Sequence, residues 1–284
     1  MGKLDGQVAF ITGAARGQGR SHAVALAAEG ADIVGFDLCD QLATVDYPMS
    51  TPADLDETAD AVRAHGRGFI ACIGDVRDRA ALSAAVAQAV TTFGRLDIVL
   101  ANAGVMAHGL LPYEKSVEKW RDTIDINLTG VWNTLQATSQ TIIDGGRGGS
   151  IVITSSTAGL KAVTTNFEGG FDGYNVAKTG LAALMTSYAG RLAQYRIRVN
   201  TIHPTGVATP MVINDFFPKY MAENDDIAAA NQNALPVAVI EAADVSNGIL
   251  YLVSDAGRYI TGQKFVIDAG MTTVSLPGSG TTLG

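Results

Sequence analysis

The sequence VAFITGAARGQG, residues 8–19, decides the fold predicted for this chain. Its first five residues form a short apolar run with β-branched side chains, which is typical of a buried strand. Glycines at positions 13, 17 and 19 follow, and a helical pattern begins there. Glycine permits a sharp turn and the close approach of an anion, and the helix N-terminus presents free N–H groups to that anion. The stretch therefore predicts a strand, a phosphate-binding turn and a helix in succession.

The same alternation continues along the chain. Apolar runs typical of buried strands occupy 8–12, 32–36, 69–73, 97–101, 150–154, 198–202 and 264–267. Segments with apolar residues three and four apart, typical of crossover helices, occupy 21–29, 80–93, 117–143, 174–195 and 242–253. This pattern predicts an α/β protein with a Rossmann fold, in which a doubly wound, seven-stranded parallel sheet carries helices on both faces. Because no linker divides the chain, we expect residues 1–284 to form a single domain.

The composition limits the classes of partner. The chain has 284 residues, of which 47% are hydrophobic and 17% charged, and a net charge of −8. It lacks the basic surface that nucleic acid or anionic lipid requires, so we expect neither nucleic acid nor membrane as a partner. Its two cysteines and four histidines show no metal-ligand spacing, so we expect no metal. With no apolar leader and no run of about 20 apolar residues, a cytoplasmic protein is expected.

The second predicted strand ends next to Asp37, 24 residues after Gly13. A carboxylate at this point can accept hydrogen bonds from the adenosine ribose and repels a 2′-phosphate, so the pattern favours NAD over NADP. Arg16 leaves three possibilities open, since its guanidinium could reach a 2′-phosphate, pair with the pyrophosphate or point into solvent. The candidate cofactor residues of the first turn are Gly13, Arg16, Gly17, Gln18 and Gly19.

Two later strand ends belong to the same predicted crevice. Asp75 and Val76 follow the third strand, where the carboxylate could hold the adenine amino group or could cap the helix before Ala80. Asn102, Ala103 and Gly104 follow the fourth strand. Glycine there permits close approach of a cofactor, although an ordinary turn would have the same sequence.

A tyrosine and a lysine lie four residues apart on a predicted helix. Tyr174 and Lys178 therefore share one helix face. A fixed positive charge near a phenol favours the phenolate, which would make Tyr174 a usable general base. Ser156 ends the fifth strand with a hydroxyl that can hold a substrate oxygen, and Asn127 is unusual inside a helix unless its amide has a partner.

Three segments are longer than ordinary connections: 38–54, 159–173 and 205–236. Such segments act as lids, flaps or assembly surfaces, or as plain surface decoration. The third segment includes the apolar side chains Met211, Phe216, Phe217 and Tyr220. They indicate a hydrophobic substrate such as an alicyclic alcohol, with core or oligomer contacts as the alternative.

Taken together, these residues resemble the short-chain dehydrogenase/reductase family over positions 4–270. The resemblance rests on Thr12-Gly13-xxx-Gly17-x-Gly19, Asp75, Asn102-Ala103-Gly104, Asn127, Ser156, Tyr174-xxx-Lys178 and Pro204 to Thr209. It implies that Tyr174 is the general acid/base and that Ser156 positions the carbonyl or alcohol. It also implies that Lys178 binds the nicotinamide ribose, that Asn127 helps to hold a proton-relay water, and that a tetramer forms. Pro204, Val207 and Thr209 would belong to the cofactor site, with the last two contacting the carboxamide.

A narrower resemblance is to the mycofactocin-associated branch, which includes carveol dehydrogenase-like enzymes. It rests on the segment after Asp37, on His203-Pro204-Thr205 and on Thr209-Pro210-Met211. It implies that the insert covers NAD and that electrons leave through a separate carrier, mycofactocin. Two departures bear on the site. An apparent insertion at 166–172 could shift the serine role from Ser156 to Ser155, or could let Phe167 and Phe171 reshape the site, and Thr205 replaces a glycine common in the family.

The predicted function is therefore hydride transfer between a hydrophobic secondary alcohol and NAD. One rival is an NADPH-dependent reductase of 3-oxoacyl thioesters, against which Asp37 argues. Another is a protein that binds NAD without chemistry and acts as a sensor.

Overall fold

The computed structural model describes residues 2–107, 113–161, 168–215, 217–223 and 225–273. For residues 113–115, 220, 226, 227 and 230 it describes the backbone alone. Within these ranges seven parallel strands form one sheet in the order β3-β2-β1-β4-β5-β6-β7. The strands are β1 (Val8–Thr12), β2 (Asp32–Asp37), β3 (Phe69–Ile73), β4 (Ile98–Ala101), β5 (Gly149–Thr154), β6 (Ile197–Pro204) and β7 (Lys264–Ile267).

The helices connect these strands. They are α1 (Gly17–Ala28), α2 (Pro52–Arg63), α3 (Arg79–Phe93), α4 (Tyr113–Ile124), α5 (Gly130–Gly145), α6 (Gly169–Leu192), α7 (Phe217–Ala222), α8 (Asp225–Ala230) and α9 (Ala242–Val253). Local sequence fixes several helix ends. Asp78 caps α3 through the N–H groups of Ala80 and Ala81, and Gly94 ends that helix in the left-handed conformation at φ +74°.

Two apolar cores confirm the doubly wound arrangement. Phe10 belongs to one core and Ile11 to the other, and neighbouring residues of a strand point to opposite faces. Buried residues of α3, α5 and α6 join the core of Phe10, and those of α1, α2 and α9 join the core of Ile11. The predicted fold class and all seven predicted strands are thus confirmed, with ends that shift by at most two residues.

Two elements differ from the prediction. Helix α2 begins at Pro52 with a capping box between Thr51 and Asp54, so the irregular segment after β2 spans 38–51. The predicted helix 117–143 is divided between α4 and α5 by a π-helical turn, Asp125–Thr129. In the described ranges, no helix combines the length and apolar character needed to cross a membrane.

Candidate active site

The glycine turn after β1 opens onto a cavity of about 910 Å³ at the carboxyl ends of the strands. Gly13 has φ +68°, and a Cβ there would lie 2.9 Å from the Ala103 Cα atom. A Cβ on Gly19 would lie 1.9 Å from the Gly13 carbonyl oxygen, so side chains are excluded at both positions. Helix α1 has no side-chain cap and no acidic residue in its first turn. Its free N–H groups therefore suit an anion at the cavity wall.

Gln18 adds an independent reason to place a polar ligand here. Its Oε1 atom is buried and has no hydrogen-bond partner within the described part of the chain. Gln18 lines both this cavity and a second cavity that contains Tyr174. A buried polar atom without a partner is costly. The turn, the open helix end and this side chain together fit a dinucleotide.

Asp37 lies in the wall of the first cavity and is 8% exposed. One carboxylate oxygen accepts from the Ala15 N–H at 2.9 Å, and the other accepts from the Ser50 hydroxyl at 2.6 Å. These bonds hold the negative charge in place, where it would oppose a phosphate on the ribose. The site thus favours a nucleotide with a free 2′-hydroxyl.

Arg16 ties the glycine turn to the segment 38–51. Its Nη2 donates to the Pro48 carbonyl oxygen, so the guanidinium does not simply point into solvent. Tyr47 of the same segment is 4% exposed and lines the first cavity. Its hydroxyl accepts from the Met106 N–H at 3.3 Å. The segment therefore forms a wall of the cofactor cavity.

Two pairs attach the segment 38–51 to α4. The Asp46 carboxylate lies 2.7 Å from the Lys119 Nζ, an ammonium that is 1% exposed. The Thr44 hydroxyl donates to Asp122 at 2.6 Å. The three residues of this wall, Thr44, Asp46 and Tyr47, were not among the predicted site residues, because their partners are remote in sequence.

Asp75 lines the cavity but is held by its own neighbour. Its carboxylate accepts from the Arg77 Nη2 at 2.6 Å and Nε at 2.9 Å. The helix-capping alternative for Asp75 is wrong, because Asp78 caps α3. Val76 is 6% exposed and lines the cavity beside Asp75.

Asn102 joins three strand ends while lining both cavities. Its Nδ2 donates to the Thr12 carbonyl at 3.1 Å, and its Oδ1 accepts from the Thr154 hydroxyl at 3.2 Å. The Ala103 N–H donates to the Thr12 hydroxyl at 3.1 Å. A Cβ on Gly104 would lie 3.1 Å from the Asn127 Oδ1, so the backbone passes close to the catalytic candidates.

The second cavity is lined by the predicted catalytic residues Ser156, Tyr174 and Lys178. The Lys178 Nζ lies 5.5 Å from the centre of the Tyr174 ring and donates to the Thr154 carbonyl at 2.8 Å. The Ser156 side chain acts on Tyr174 in the direction that lowers the pKa of the phenol, against the larger effect of burial. A phenol, a hydroxyl and an ammonium thus meet at one point of the crevice.

The net shift in the pKa of Tyr174 is upward, because burial outweighs the effect of the Ser156 side chain. The expected lowering of this pKa by Lys178 is not seen in this structure. Burial lowers the pKa of Lys178 to about 8, and its ammonium is directed to the Thr154 carbonyl. Electrostatic assistance to the phenolate from this lysine is therefore weaker than its spacing alone indicates.

The two adjacent serines have different surroundings. The Ser155 hydroxyl donates to the Lys178 carbonyl at 2.8 Å, and this side chain is 2% exposed. The Ser156 hydroxyl accepts from the Ala158 N–H at 3.2 Å, lines the cavity of Tyr174 and lowers the pKa of that phenol. Ser155 anchors α6, so the contact with the phenol belongs to Ser156.

Asn127 has the partner that its place in a helix calls for. It lies in the π-helical turn and is fully buried. Its Nδ2 donates to the Val105 carbonyl at 2.7 Å, and its Oδ1 accepts from the Val105 N–H at 2.8 Å. The amide therefore holds the chain that leaves β4.

The loop after β6 lines the region where the two cavities meet. Pro204, Val207 and Thr209 line the second cavity, and Thr209 also lines the first. Val207 pairs with Ile240, which fixes the loop backbone. The Thr205 hydroxyl donates to the Asn233 side chain at 2.7 Å, so this replacement for glycine links two parts of the 205–236 segment.

Apolar side chains surround Tyr174 in the second cavity. Met106 and Phe171 are buried there, and Met211, Phe217 and Met221 pack against them. Met106 was not predicted, because nothing in its local pattern shows which cavity it faces. The side chains of Phe167, Phe216 and Tyr220 lie outside the described residues. Across the described ranges, no group of three or more His, Cys, Asp or Glu side chains could hold a metal ion.

Comparison with known proteins identifies relatives that match the chain over most of its length. Residues 13–272 match the family model described as enoyl-(acyl carrier protein) reductase. The (−)-trans-carveol dehydrogenase of Rhodococcus erythropolis is 48% identical over 96% of this chain and 99% of its own. The structure of carveol dehydrogenase from Mycobacterium avium in complex with NAD is 45% identical, with a TM-score of 0.87 and coverage of 95% of this chain and 99% of its own.

A short chain dehydrogenase from Mycobacterium paratuberculosis, solved bound to NAD, is 41% identical with a TM-score of 0.89 and covers 96% of this chain and 100% of its own. The family match spans nearly all of the described sheet, and the relatives are matched from end to end. This protein therefore belongs to the short-chain dehydrogenase/reductase family.

Proposed function

We propose that this protein interconverts a hydrophobic secondary alcohol and its ketone by hydride transfer with NAD. The observation that carries the proposal is the meeting of the two cavities. Gln18, Asn102, Gly104, Thr209 and Met211 line both of them. A dinucleotide seated at the glycine turn would reach the cavity that contains Tyr174. The NAD-bound carveol dehydrogenase relative supports this choice of cofactor and substrate class.

NAD, when bound, supplies the hydride acceptor at the nicotinamide. The Tyr174 phenolate would take the hydroxyl proton of the alcohol, and the Ser156 hydroxyl would hold the same oxygen in place. Lys178 would bind the ribose nearest the nicotinamide and keep a positive charge beside the phenol. Asn127 would support the proton path by holding the Val105 backbone, while Val207 and Thr209 would contact the carboxamide.

The remaining proposed cofactor contacts follow the cavity wall. Gly13, Gly17 and Gly19 would admit the pyrophosphate, and Asp37 would accept from the adenosine ribose. Asp75 and Val76 would lie at the adenine, with Asp75 keeping its bond to Arg77. Ala103 and Pro204 would complete the walls on either side.

The cluster of apolar side chains beside Tyr174 supports an apolar substrate. Three thioethers and two aromatic rings, from Met106, Met211, Met221, Phe171 and Phe217, offer carbon surface and few polar partners. Burial of apolar surface contributes about 25 cal/mol per Å², which favours an alicyclic alcohol over a sugar or a charged acid.

We further propose that NAD is retained between turnovers, with a separate carrier, mycofactocin, as electron acceptor. The support is the wall formed by the segment 38–51. Its contacts reach two other parts of the chain: Pro48 accepts from Arg16 of the glycine turn, while Asp46 and Thr44 bond with Lys119 and Asp122 of α4. A nucleotide behind such a wall would leave only when these contacts open.

We also propose a homotetramer, as the family resemblance implies. Trp132 on α5 and Val176 on α6 are 39% and 50% exposed, so both helices present apolar surface that subunit contact could bury. Sedimentation velocity measures the assembly directly. A monomer at micromolar concentration would refute this part.

A second candidate is an NADPH-dependent reductase of 3-oxoacyl thioesters; the matching family model is described by a reductase of a related acyl thioester, the enoyl form. Asp37 opposes the NADPH that such an enzyme would need. Assays with NADPH and a 3-oxoacyl thioester would separate the two. A pure NAD sensor would show no alcohol-dependent reduction of nucleotide.

Mutation of the general base tests the function. Tyr174→Phe removes the proton acceptor but keeps the ring, so alcohol oxidation should fall at least about 1,000-fold. The nucleotide content, measured by mass after denaturation, should stay unchanged. Phe171→Leu serves as the control for a changed cavity wall. Near-normal turnover in Tyr174→Phe with (−)-trans-carveol or any other active alcohol would refute the proposal.

A further inference from the structure

We propose that His203 is a positioning residue for this reaction, since its imidazole holds the Ser156 backbone in the place from which the Ser156 hydroxyl reaches Tyr174. The inference rests on the proposed function and extends it to a residue of β6.

His203 is fully buried and has two hydrogen-bond partners. Its Nδ1 lies 2.9 Å from the Ser156 carbonyl oxygen, and its Nε2 lies 2.8 Å from the Thr201 hydroxyl. A carbonyl oxygen only accepts, so Nδ1 carries the hydrogen and Nε2 accepts from Thr201. Both ring nitrogens of a neutral imidazole are thereby used. Burial, the largest effect, lowers the pKa of His203, which keeps this neutral form.

The hydrogen-bond ladder between β5 and β6 ends at Ser155, one residue before Ser156. The Ser155 N–H still donates to the Ile202 carbonyl at 2.8 Å, continuing the ladder between β5 and β6. The Ser156 carbonyl receives instead the Gly159 N–H, at 2.9 Å, and the His203 ring. Of these two donors, only His203 comes from outside the turn that contains Ser156. It therefore fixes that turn relative to the sheet.

The direction of the Ser156 hydroxyl depends on this backbone. Its oxygen accepts from the Ala158 N–H at 3.2 Å, which leaves its hydrogen to be directed into the cavity that Ser156 shares with Tyr174, whose pKa this hydroxyl lowers. Because the Ser156 oxygen is already held by the Ala158 N–H, the hydroxyl has little freedom to turn if its backbone moves away from Tyr174. Movement of the Ser156 backbone would thus lengthen the contact with the phenol.

The consequence can be measured as a pH dependence. The Ser156 hydroxyl lowers the pKa of Tyr174 against the effect of burial, so its displacement should raise that pKa. Among the described residues, the ionisable groups near the phenol include Lys178 on α6, Tyr47 of the segment 38–51 and His203 itself. The rate of alcohol oxidation should rise with pH as the Tyr174 phenolate forms, whereas loss of the Lys178 charge would lower it. The rising limb of the pH–rate profile therefore reports the ionisation of Tyr174.

The test compares His203→Gln with His203→Asn by single-turnover reduction of bound nucleotide across pH. The Asn amide can take the place of Nδ1 and keep the donor to Ser156. The Gln amide takes the place of Nε2 and loses that donor. We expect His203→Gln to shift the rising limb upward by roughly one pH unit and to lower the rate about tenfold below it. His203→Asn should stay within about threefold of wild type, with nucleotide content unchanged in both.

His22→Gln is the matched control, because His22 is another fully buried imidazole, bonded to the Ser246 hydroxyl at 2.8 Å. The rising limb of the pH–rate profile of this variant should stay at the wild-type position. If His203→Gln does not fold, Thr201→Val, which frees Nε2, should give a smaller shift in the same direction.

The inference would be overturned if the rising limb of the pH–rate profile did not shift in His203→Gln, or in Thr201→Val where that variant replaces it. It would also be overturned if His22→Gln shifted the limb equally. A His203→Asn variant as impaired as His203→Gln would overturn it as well. An active Tyr174→Phe variant would instead overturn the proposed function.

Discussion

At the scale of single residues, several polar side chains of the crevice form hydrogen bonds with other parts of the protein. Asp75 is held by Arg77, Asn102 joins Thr12 to Thr154, and Asn127 holds Val105. The sequence indicated that Asp75 and Asn102 lie at strand ends, because a parallel sheet collects its carboxyl ends at one edge, and that Asn127 lies inside a helix. Their partners could not be predicted, since each bond joins residues whose contact depends on packing.

The charge of Asp37 determines the proposed preference for NAD. Asp37→Asn keeps an acceptor for the Ala15 N–H and removes the negative charge from the ribose site. We expect the affinity for NAD to fall about tenfold and the preference over NADP to fall by at least as much. Titration of nucleotide-free protein with each dinucleotide measures both.

Asp97→Asn, at an ion pair with Arg95 remote from the cavities, controls for loss of a carboxylate. An unchanged ratio of NAD to NADP affinity in Asp37→Asn would contradict the assigned role of this charge.

At the scale of elements, the strands were predictable and the interruptions were not. All seven apolar runs form strands because β-branched segments buried on both faces suit a parallel sheet. Helix α2 escaped prediction although Thr51, Pro52 and Asp54 form a capping signal. The π-helical turn at Asn127 has no periodic signature, because it adds one residue to a helix whose apolar pattern continues. The two-way bond between Asn127 and Val105 accompanies that turn.

The segment 38–51 should control release of the nucleotide. Asp46→Asn breaks its ion pair with Lys119 while leaving the shape of the segment unchanged. Because this contact helps to close the cavity, we expect bound NAD to be lost roughly tenfold faster during repeated desalting, with the single-turnover rate unchanged.

The control is Glu29→Gln, which breaks the ion pair with Lys3 and replaces a carboxylate with an amide in the same way. Equal nucleotide loss in both variants, or none in Asp46→Asn, would show that the segment does not retain the cofactor.

At the scale of the whole molecule, the fold brings together residues from widely separated parts of the chain. The glycine turn follows β1, Ser156 follows β5, Tyr174 lies on α6 and the loop of Val207 follows β6. Sequence patterns predicted this convergence, because parallel strands with helices on both faces place their carboxyl ends side by side. The wall formed by Tyr47 and the cavity wall at Met106 depend instead on contacts between remote segments. Neither could be predicted from local pattern.

The central claim is that a hydride passes from the alcohol beside Tyr174 to a nucleotide seated at the glycine turn. The most direct measurement uses a secondary alicyclic alcohol deuterated at its carbinol carbon, mixed with the purified protein, followed by denaturation and mass analysis of the nucleotide. We predict one deuterium per reduced nucleotide in the wild type and none in Tyr174→Phe, which should contain the same amount of NAD. Ketone formation without deuterium on the nucleotide would contradict the claim.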